Sequence, residues 1–269
     1  MKGGWKMKKL SVFLGGIVFV LLVGIYLVGG LFGAACWTLA ILVIGPLASL
    51  CLVLEIVFLI KKVFEKKSIR RQLLLIGFTG LLAYPLTILM GLSPINYPIN
   101  SNLEGIEMKL PVEKSIALGG PKYKTHAIWP SECYAYDLVC EPYDSGAERL
   151  SEYGIYLKDV LAPCSGRIIK VKNDEVDIAP NTDQFISALG NYVFIELDQK
   201  KGYVILAHLA KESIEVKEGQ QIKTGEYIGK VGNSGTSSEP HLHIQLQRNN
   251  PTEMIYPTIA EGLPIEWQE

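Results

Sequence analysis

Gly232-Asn-Ser-Gly-Thr-Ser-Ser-Glu-Pro-His-Leu-His-Ile-Gln-Leu-Gln247 decides how the second half of this chain folds. A turn of small residues gives way after Pro240 to strict alternation from His241 to Gln247. Successive side chains of a strand point to opposite faces, so Leu242 and Ile244 share one face while His241 and His243 share the other. A lone histidine on a strand is usually a satisfied surface or core residue. Two imidazoles side by side after a glycine turn form a natural metal-binding or acid–base pair.

The β character extends upstream. VLAPCSGRIIKVKND (160–174), GNYVFIELD (190–198), GYVILAHL (202–209) and IEVKEGQQIKTGEYIGKVGNSG (214–235) are short apolar runs divided by glycine turns. They predict a small antiparallel sheet, with hairpins at Gly166 and at Gln199-Lys-Lys-Gly202. No helical period of useful length interrupts residues 160 to 247. The polar segments 142–153 and 174–189 read as long loops over one end of the sheet, where binding walls are commonly built.

The first 92 residues are of another kind. Residues 10–32 carry no charge, 35–60 carry only Glu55, and 73–92 carry none. Each run is long enough to cross about 30 Å of hydrocarbon as a helix. Three of them within 85 residues would leave a water-soluble fold almost no polar surface. The expected organisation is therefore a membrane part, residues 1–94, followed by a mostly β domain, residues 95–269. Lys2, Lys6, Lys8 and Lys9 precede the first run, and Lys61, Lys62, Lys66, Lys67, Arg70 and Arg71 separate the second from the third. Basic loops stay in the cytoplasm, so a cytoplasmic N-terminus and three crossings place the β domain outside a bacterial cell membrane. A cleaved signal peptide and a lipoprotein anchor at Cys36 fit less well, because the apolar run continues past residues 33–35.

Charge narrows the function. Ten of the 26 basic and two of the 27 acidic residues lie in the first 92, leaving 16 basic against 25 acidic in the remainder. Such an acidic domain does not suit nucleic acid. Cys133, Cys140 and Cys164 are odd in number and irregularly spaced, so they describe neither a disulfide framework nor a structural zinc site, and they leave room for one disulfide and one free thiol whose pairing the sequence does not give.

All four histidines of the chain, His126, His208, His241 and His243, fall outside the membrane part. His208 ends the apolar run from Gly202. Asp137 lies in the apolar run YAYDLV (134–139), where a carboxylate is costly to bury without a cation or metal.

Three pieces, Tyr134-Ala-Tyr-Asp137-Leu, Leu206-Ala-His208-Leu and Gly232-Asn-Ser-Gly-Thr-Ser-Ser-Glu-Pro-His241-Leu-His243, resemble the lysostaphin-like zinc metallopeptidases, the peptidoglycan endopeptidases. The resemblance spans about residues 119–247 and says nothing about the apolar segments. It implies a lysostaphin-like fold of duplicated hairpins, with Zn2+ held by a first His, an Asp and the last His of His-x-His. Asp137 and His243 then become metal ligands, and His208 and His241 the unligated catalytic pair. The family's first motif, His-x-x-x-Asp, is broken, because Cys133 stands four before Asp137. Two candidates follow for the third ligand: His126, upstream as in a branch of the family with a similar Tyr-Ala-x-Asp-Leu form, and Cys133, a competent zinc donor in an unusual hydrolytic set. His126 is favoured, since it brings every histidine to one site.

The resemblance implies peptide hydrolysis by a zinc-activated water, one free histidine handling the proton and the other the oxyanion, in an order it leaves open. Peptidoglycan or another peptide is the implied substrate, membrane lipid surrounds the anchor, and a membrane-protein partner for three spans stays an open possibility. Two other functions compete. Relatives that lose ligands serve as scaffolds for other wall hydrolases, and the segments around 160–169 and 216–225 resemble biotinyl and lipoyl carrier hairpins. The carrier alternative lacks a lysine at a hairpin tip and would lie on the wrong side of the membrane.

Overall fold

A computed structural model describes residues 2–120, 124–198, 202–254 and 259–268. They fall into two compact units, one of residues 1–100 with 128–130 and one of residues 101–127 with 131–269.

The first unit is helical. α1 (Lys2–Val23) runs on through a wider turn at Gly24–Val28. α2 (Gly30–Leu39) passes through a similar turn at Ala40–Ile44 into α3 (Gly45–Phe64), and α4 (Arg70–Ala83) leads into α5 (Pro85–Leu89). Three stretches, Lys9–Val28, Gly30–Phe64 and Arg70–Leu89, are long and apolar enough to cross a membrane. Large apolar side chains such as Leu27, Leu50 and Phe64 face outward on them, an arrangement compatible with membrane anchoring.

The helix boundaries differ from the expected ones. The first run breaks at Gly29, not after Phe32, because Gly29 and Gly30 both take positive φ, a backbone state that a count of charges does not register. The second helix continues to Phe64 and, at 35 residues, is roughly 52 Å long. Glu55, the charge inside it, accepts a hydrogen bond from the Thr79 hydroxyl on α4 at 3.1 Å.

The second unit carries twelve short strands among the described residues: β1 (Ile106–Met108), β2 (Ile116–Gly119), β3 (Tyr136–Val139), β4 (Asp159–Leu161), β5 (Gly166–Lys172), β6 (Asn191–Leu197), β7 (Tyr203–Leu209), β8 (Gln221–Ile222), β9 (Tyr227–Lys230), β10 (Leu242–Gln247), β11 (Gly262–Leu263) and β12 (Ile265–Trp267). One short helix, α6 (Lys124–Ala127), precedes β3. The main sheet runs β2-β3-β10-β7-β6-β5-β8, with β11 also on β10, and every pairing in it is antiparallel. It is the mostly antiparallel β domain that the alternation called for.

The turn expected at Gly166 is not a hairpin. β4 pairs with β9, while Gly166 opens β5 against β6 and β8. A Cβ there would meet the Glu196 carbonyl oxygen at 2.2 Å, so this glycine permits close approach, not chain reversal. The hairpin expected at 199–202 falls largely on residues outside the described set, but β6 and β7 on either side of it are antiparallel neighbours. Segments 142–153 and 174–189 contain no strand, and only a single 3-10 turn at Leu150–Glu152.

One face of the sheet packs the main core, with Leu138, Val204, Leu206, Leu209, Leu242, Ile244 and Leu246 all buried. Among the described residues the cysteines form no disulfide, and Cys133, Cys140 and Cys164 are buried.

Candidate metal centre

The opposite face holds the polar residues, and backbone register sets them in a row. His243 on β10 lies opposite Asp137 on β3 and opposite Ala207 on β7. His241 stands just before β10.

His208 reaches the same face by breaking the alternation of β7. Strict alternation would put His208 beside Leu206 in the core and turn Leu209 outward. Instead His208 takes φ +62, and the β6 partners skip from Val193, opposite Leu206, to Asn191, opposite Leu209. This bulge returns Leu209 to the core and releases the imidazole to the site. Strained backbone of this kind concentrates where function needs it.

The short loop after α6 returns His126 towards β3. His126 donates from Nε2 to Asp137 Oδ2 at 2.8 Å and from Nδ1 to Glu132 Oε2 at 3.3 Å. His243 Nδ1 is 3.2 Å from Asp137 Oδ1, and His241 Nε2 is 3.5 Å from the same oxygen. The His126 and His243 rings meet edge to face at 4.8 Å, and His208 lies 4.7 Å from His241.

Two of these imidazoles have their tautomers set by backbone carbonyls, which can only accept. His208 Nδ1 donates to Ser234 O at 2.8 Å, and His241 Nδ1 donates to Glu239 O at 2.8 Å. Both therefore turn Nε2 into the site. The turn that supplies these carbonyls is pressed against the start of β6: Gly235, at φ +80, would bring a Cβ within 2.3 Å of Gly190 N. Fully buried Asn233 ties the same turn to the Ile178 carbonyl oxygen, and the backbone N–H of buried Asn191 on β6 donates to Ser234 Oγ at 2.9 Å.

The electrostatics follow from this geometry. Burial alone would push the Asp137 carboxyl up, but the charge of His241 and hydrogen bonds from His126 and His243 outweigh it and hold it well below the ordinary range. Burial would likewise lower His126, yet its bonds to Asp137 and Glu132 raise it to about 10. His208 moves the other way. Burial first, then the charges of His241 and His243, hold it well below 6.5.

The donor atoms of His126, Asp137 and His243 all lie within 4.8 Å of one another. Zinc bonds at about 2.0–2.2 Å to imidazole and carboxylate, so three such donors around a pocket already demanding positive charge fit that ion. His126 Nε2, the Asp137 carboxylate and His243 Nδ1 are the atoms that would hold it. The group does not include Cys133, whose buried thiol is pushed up to about 12, mainly by burial. Glu132 went unnoticed in the sequence. Its spacing of six from His126 has no meaning until the intervening loop is seen.

Residues 154–254 match the model of peptidase family M23.

The M23 segment takes in His208, His241 and His243 and leaves His126 and Asp137 ahead of its first residue. The chain is 32% identical over 108 residues to a protein of Haemophilus influenzae described as an uncharacterized metalloprotease. That stretch is 39% of this chain and 20% of the relative, so this chain spans about a fifth of the curated relative's length. Among solved structures it is similar to the antimicrobial peptidase lysostaphin from Staphylococcus simulans, at 21% identity and TM-score 0.35 over 55% of this chain and 46% of that one. It is also similar to a zinc-containing peptidase from Vibrio cholerae, at 22% identity and TM-score 0.32 over 58% and 37% of the two chains. The M23 match and the metalloprotease relative support a peptidase of the metal-dependent kind.

Proposed function

We propose that the chain is a membrane-anchored zinc endopeptidase acting on peptidoglycan. Residues 1–94 hold it in a bacterial membrane, and residues 95–269 form the catalytic domain on the outer side. The convergence of His126, Asp137 and His243 within 4.8 Å, with His208 and His241 beside them, carries this conclusion.

Zinc bound by the three donors would supply Lewis-acid polarisation of a peptide carbonyl and a water of lowered pKa. His208, neutral at pH 7 and pinned through Nδ1, presents the Nε2 lone pair and takes the proton of the attacking water. His241, pinned the same way, has Nε2 3.5 Å from the Asp137 carboxylate. From there it faces the developing oxyanion and can give it a hydrogen bond, while His208 returns its proton to the leaving amine. The outward orientation rests on the basic residues flanking the apolar helices, and the choice of peptidoglycan on the resemblance of the three motifs to wall endopeptidases.

The test uses the full chain in detergent, loaded with one equivalent of zinc and incubated with purified peptidoglycan, with released peptides read by mass spectrometry. Release that requires zinc and is lost in His243→Ala is the expected result, and the fragment masses identify the bond. Equal release by His243→Ala would sink the assignment. No release from a folded, zinc-loaded chain would transfer the role to a scaffold for other hydrolases.

A further inference from the structure

The face of β10 that carries His243 continues with two more buried polar side chains, Gln245 and Gln247, both at most 1% exposed. Burying an amide costs free energy unless its hydrogen bonds are met, and the Leu242, Ile244 and Leu246 row shows what this strand uses where only packing is needed. The amides are joined end to end. His243 Nε2 lies 3.0 Å from Gln245 Oε1, Gln245 Nε2 donates to Gln247 Oε1 at 3.0 Å, and Gln247 Nε2 donates to the Asn249 carbonyl oxygen at 2.7 Å.

The last contact gives the chain a direction. A carbonyl oxygen only accepts, so Gln247 must present its NH2 to Asn249 and its oxygen to Gln245. Gln245 must then present its NH2 to Gln247 and its oxygen to His243. Facing an acceptor, His243 must carry a hydrogen on Nε2, so Nδ1, which meets the Asp137 carboxylate at 3.2 Å, is the nitrogen left to give a lone pair to a metal. Reversing any amide would set two acceptors or two donors face to face.

We propose that Gln245 and Gln247 are positioning residues that, anchored on the Asn249 carbonyl, fix the tautomer and ring plane of His243 so that Nδ1 is the metal donor. The proposal rests on the metallopeptidase function above. It adds a buried relay, about three residues long, behind one ligand, as Glu132 stands behind the other. Partners of this type are worth about 10–100-fold in metal affinity.

The full chain in detergent serves for the test, because its four histidines give a simple imidazole 15N spectrum. Zinc affinity is measured by chelator competition, and the His243 tautomer from two-bond 15N–1H correlations of the zinc-loaded protein, on wild type and three variants. Gln245→Leu, close in volume and without an acceptor, is expected to weaken zinc about 10–100-fold and to lose the single Nε2–H pattern. Gln245→Glu keeps an acceptor for Nε2–H and is expected to recover affinity to within a few-fold of wild type. Gln247→Leu, one step further from the metal, frees Gln245 to turn and is expected to weaken zinc by a smaller factor; it stands in if Gln245→Leu does not unfold cooperatively. Wild-type affinity and an unchanged tautomer in Gln245→Leu or Gln247→Leu would overturn the relay and leave the metallopeptidase intact. A wild-type chain that takes up no zinc would overturn both.

Discussion

His208 Nδ1 is bonded to the Ser234 carbonyl oxygen at 2.8 Å while the His208 backbone sits at φ +62. The bond requires the bulge, since a regular β7 would bury the ring in the core. Replacing the side chain therefore separates chemistry from backbone strain. His208→Ala and His208→Gly should both lose about 10²–10⁴ in kcat with zinc content unchanged. The glycine variant should be the more stable by about 1 kcal/mol, because glycine accepts positive φ. Denaturant unfolding of the two variants checks the second half, and equal stability would contradict the strained backbone.

Glu132 Oε2 lies 3.3 Å from His126 Nδ1, on the side away from Asp137. Glu132→Ala should lower zinc affinity about 10–100-fold by freeing the ring to rotate. Competition with a chelator reads this directly, and Glu132→Gln, which retains an acceptor oxygen, should fall between the two.

Glu175, almost fully buried, anchors the 174–189 loop. It accepts from the backbone of Ile186 and Ser187 at 3.1 Å each and from the Ser187 hydroxyl at 2.6 Å, and it pairs with Lys172. Burial raises its carboxyl, but the bonds from Lys172 and Ser187 outweigh this and lower it. Its folded value thus lies below its unfolded one, so its contribution is complete above the ordinary glutamate range of about 4.3 and fades as pH falls through the lowered value. Glu175→Ala should destabilise the domain by about 1–3 kcal/mol at pH 7, because the Ile186 and Ser187 donors lose their acceptor, and by less at pH 3. Urea titrations at the two pH values decide it.

Cys133, Cys140 and Cys164 are buried, and burial pushes the Cys133 and Cys164 thiols up to about 12. Thiolate is the reactive form. All three should resist maleimide in the folded protein and react after denaturation. Labelling of Cys133 in the native, metal-loaded chain would show that the loop between His126 and Asp137 opens.

Much of this was legible because two simple periodicities carry it. Unbroken apolar runs gave the helices, and alternation gave β10 with His241 and His243 on one side. What stayed hidden depends on single dihedrals or on chain crossings. Gly29 ends a helix inside an unbroken apolar run, and the bulge at His208 depends on one φ angle. Gly166 serves a close approach to Glu196 that no local pattern distinguishes from a turn. Glu132 and Gln245 acquire meaning only from the rings they touch. Both were in plain sight, Gln245 within the quoted strand itself, but polar residues on an alternating strand read as solvent-facing until burial is known.

The row His243, Gln245 and Gln247 and the row Leu242, Ile244 and Leu246 are the two sides of one strand. A slip of one residue in β10 would exchange them, thrusting imidazole and amides into the core and leucines into the pocket. Such a product would be unstable and open to quality-control proteases long before it met a substrate. The register that closes the core is thereby the same register that assembles the histidine cluster, so a stable core and an intact candidate site come together.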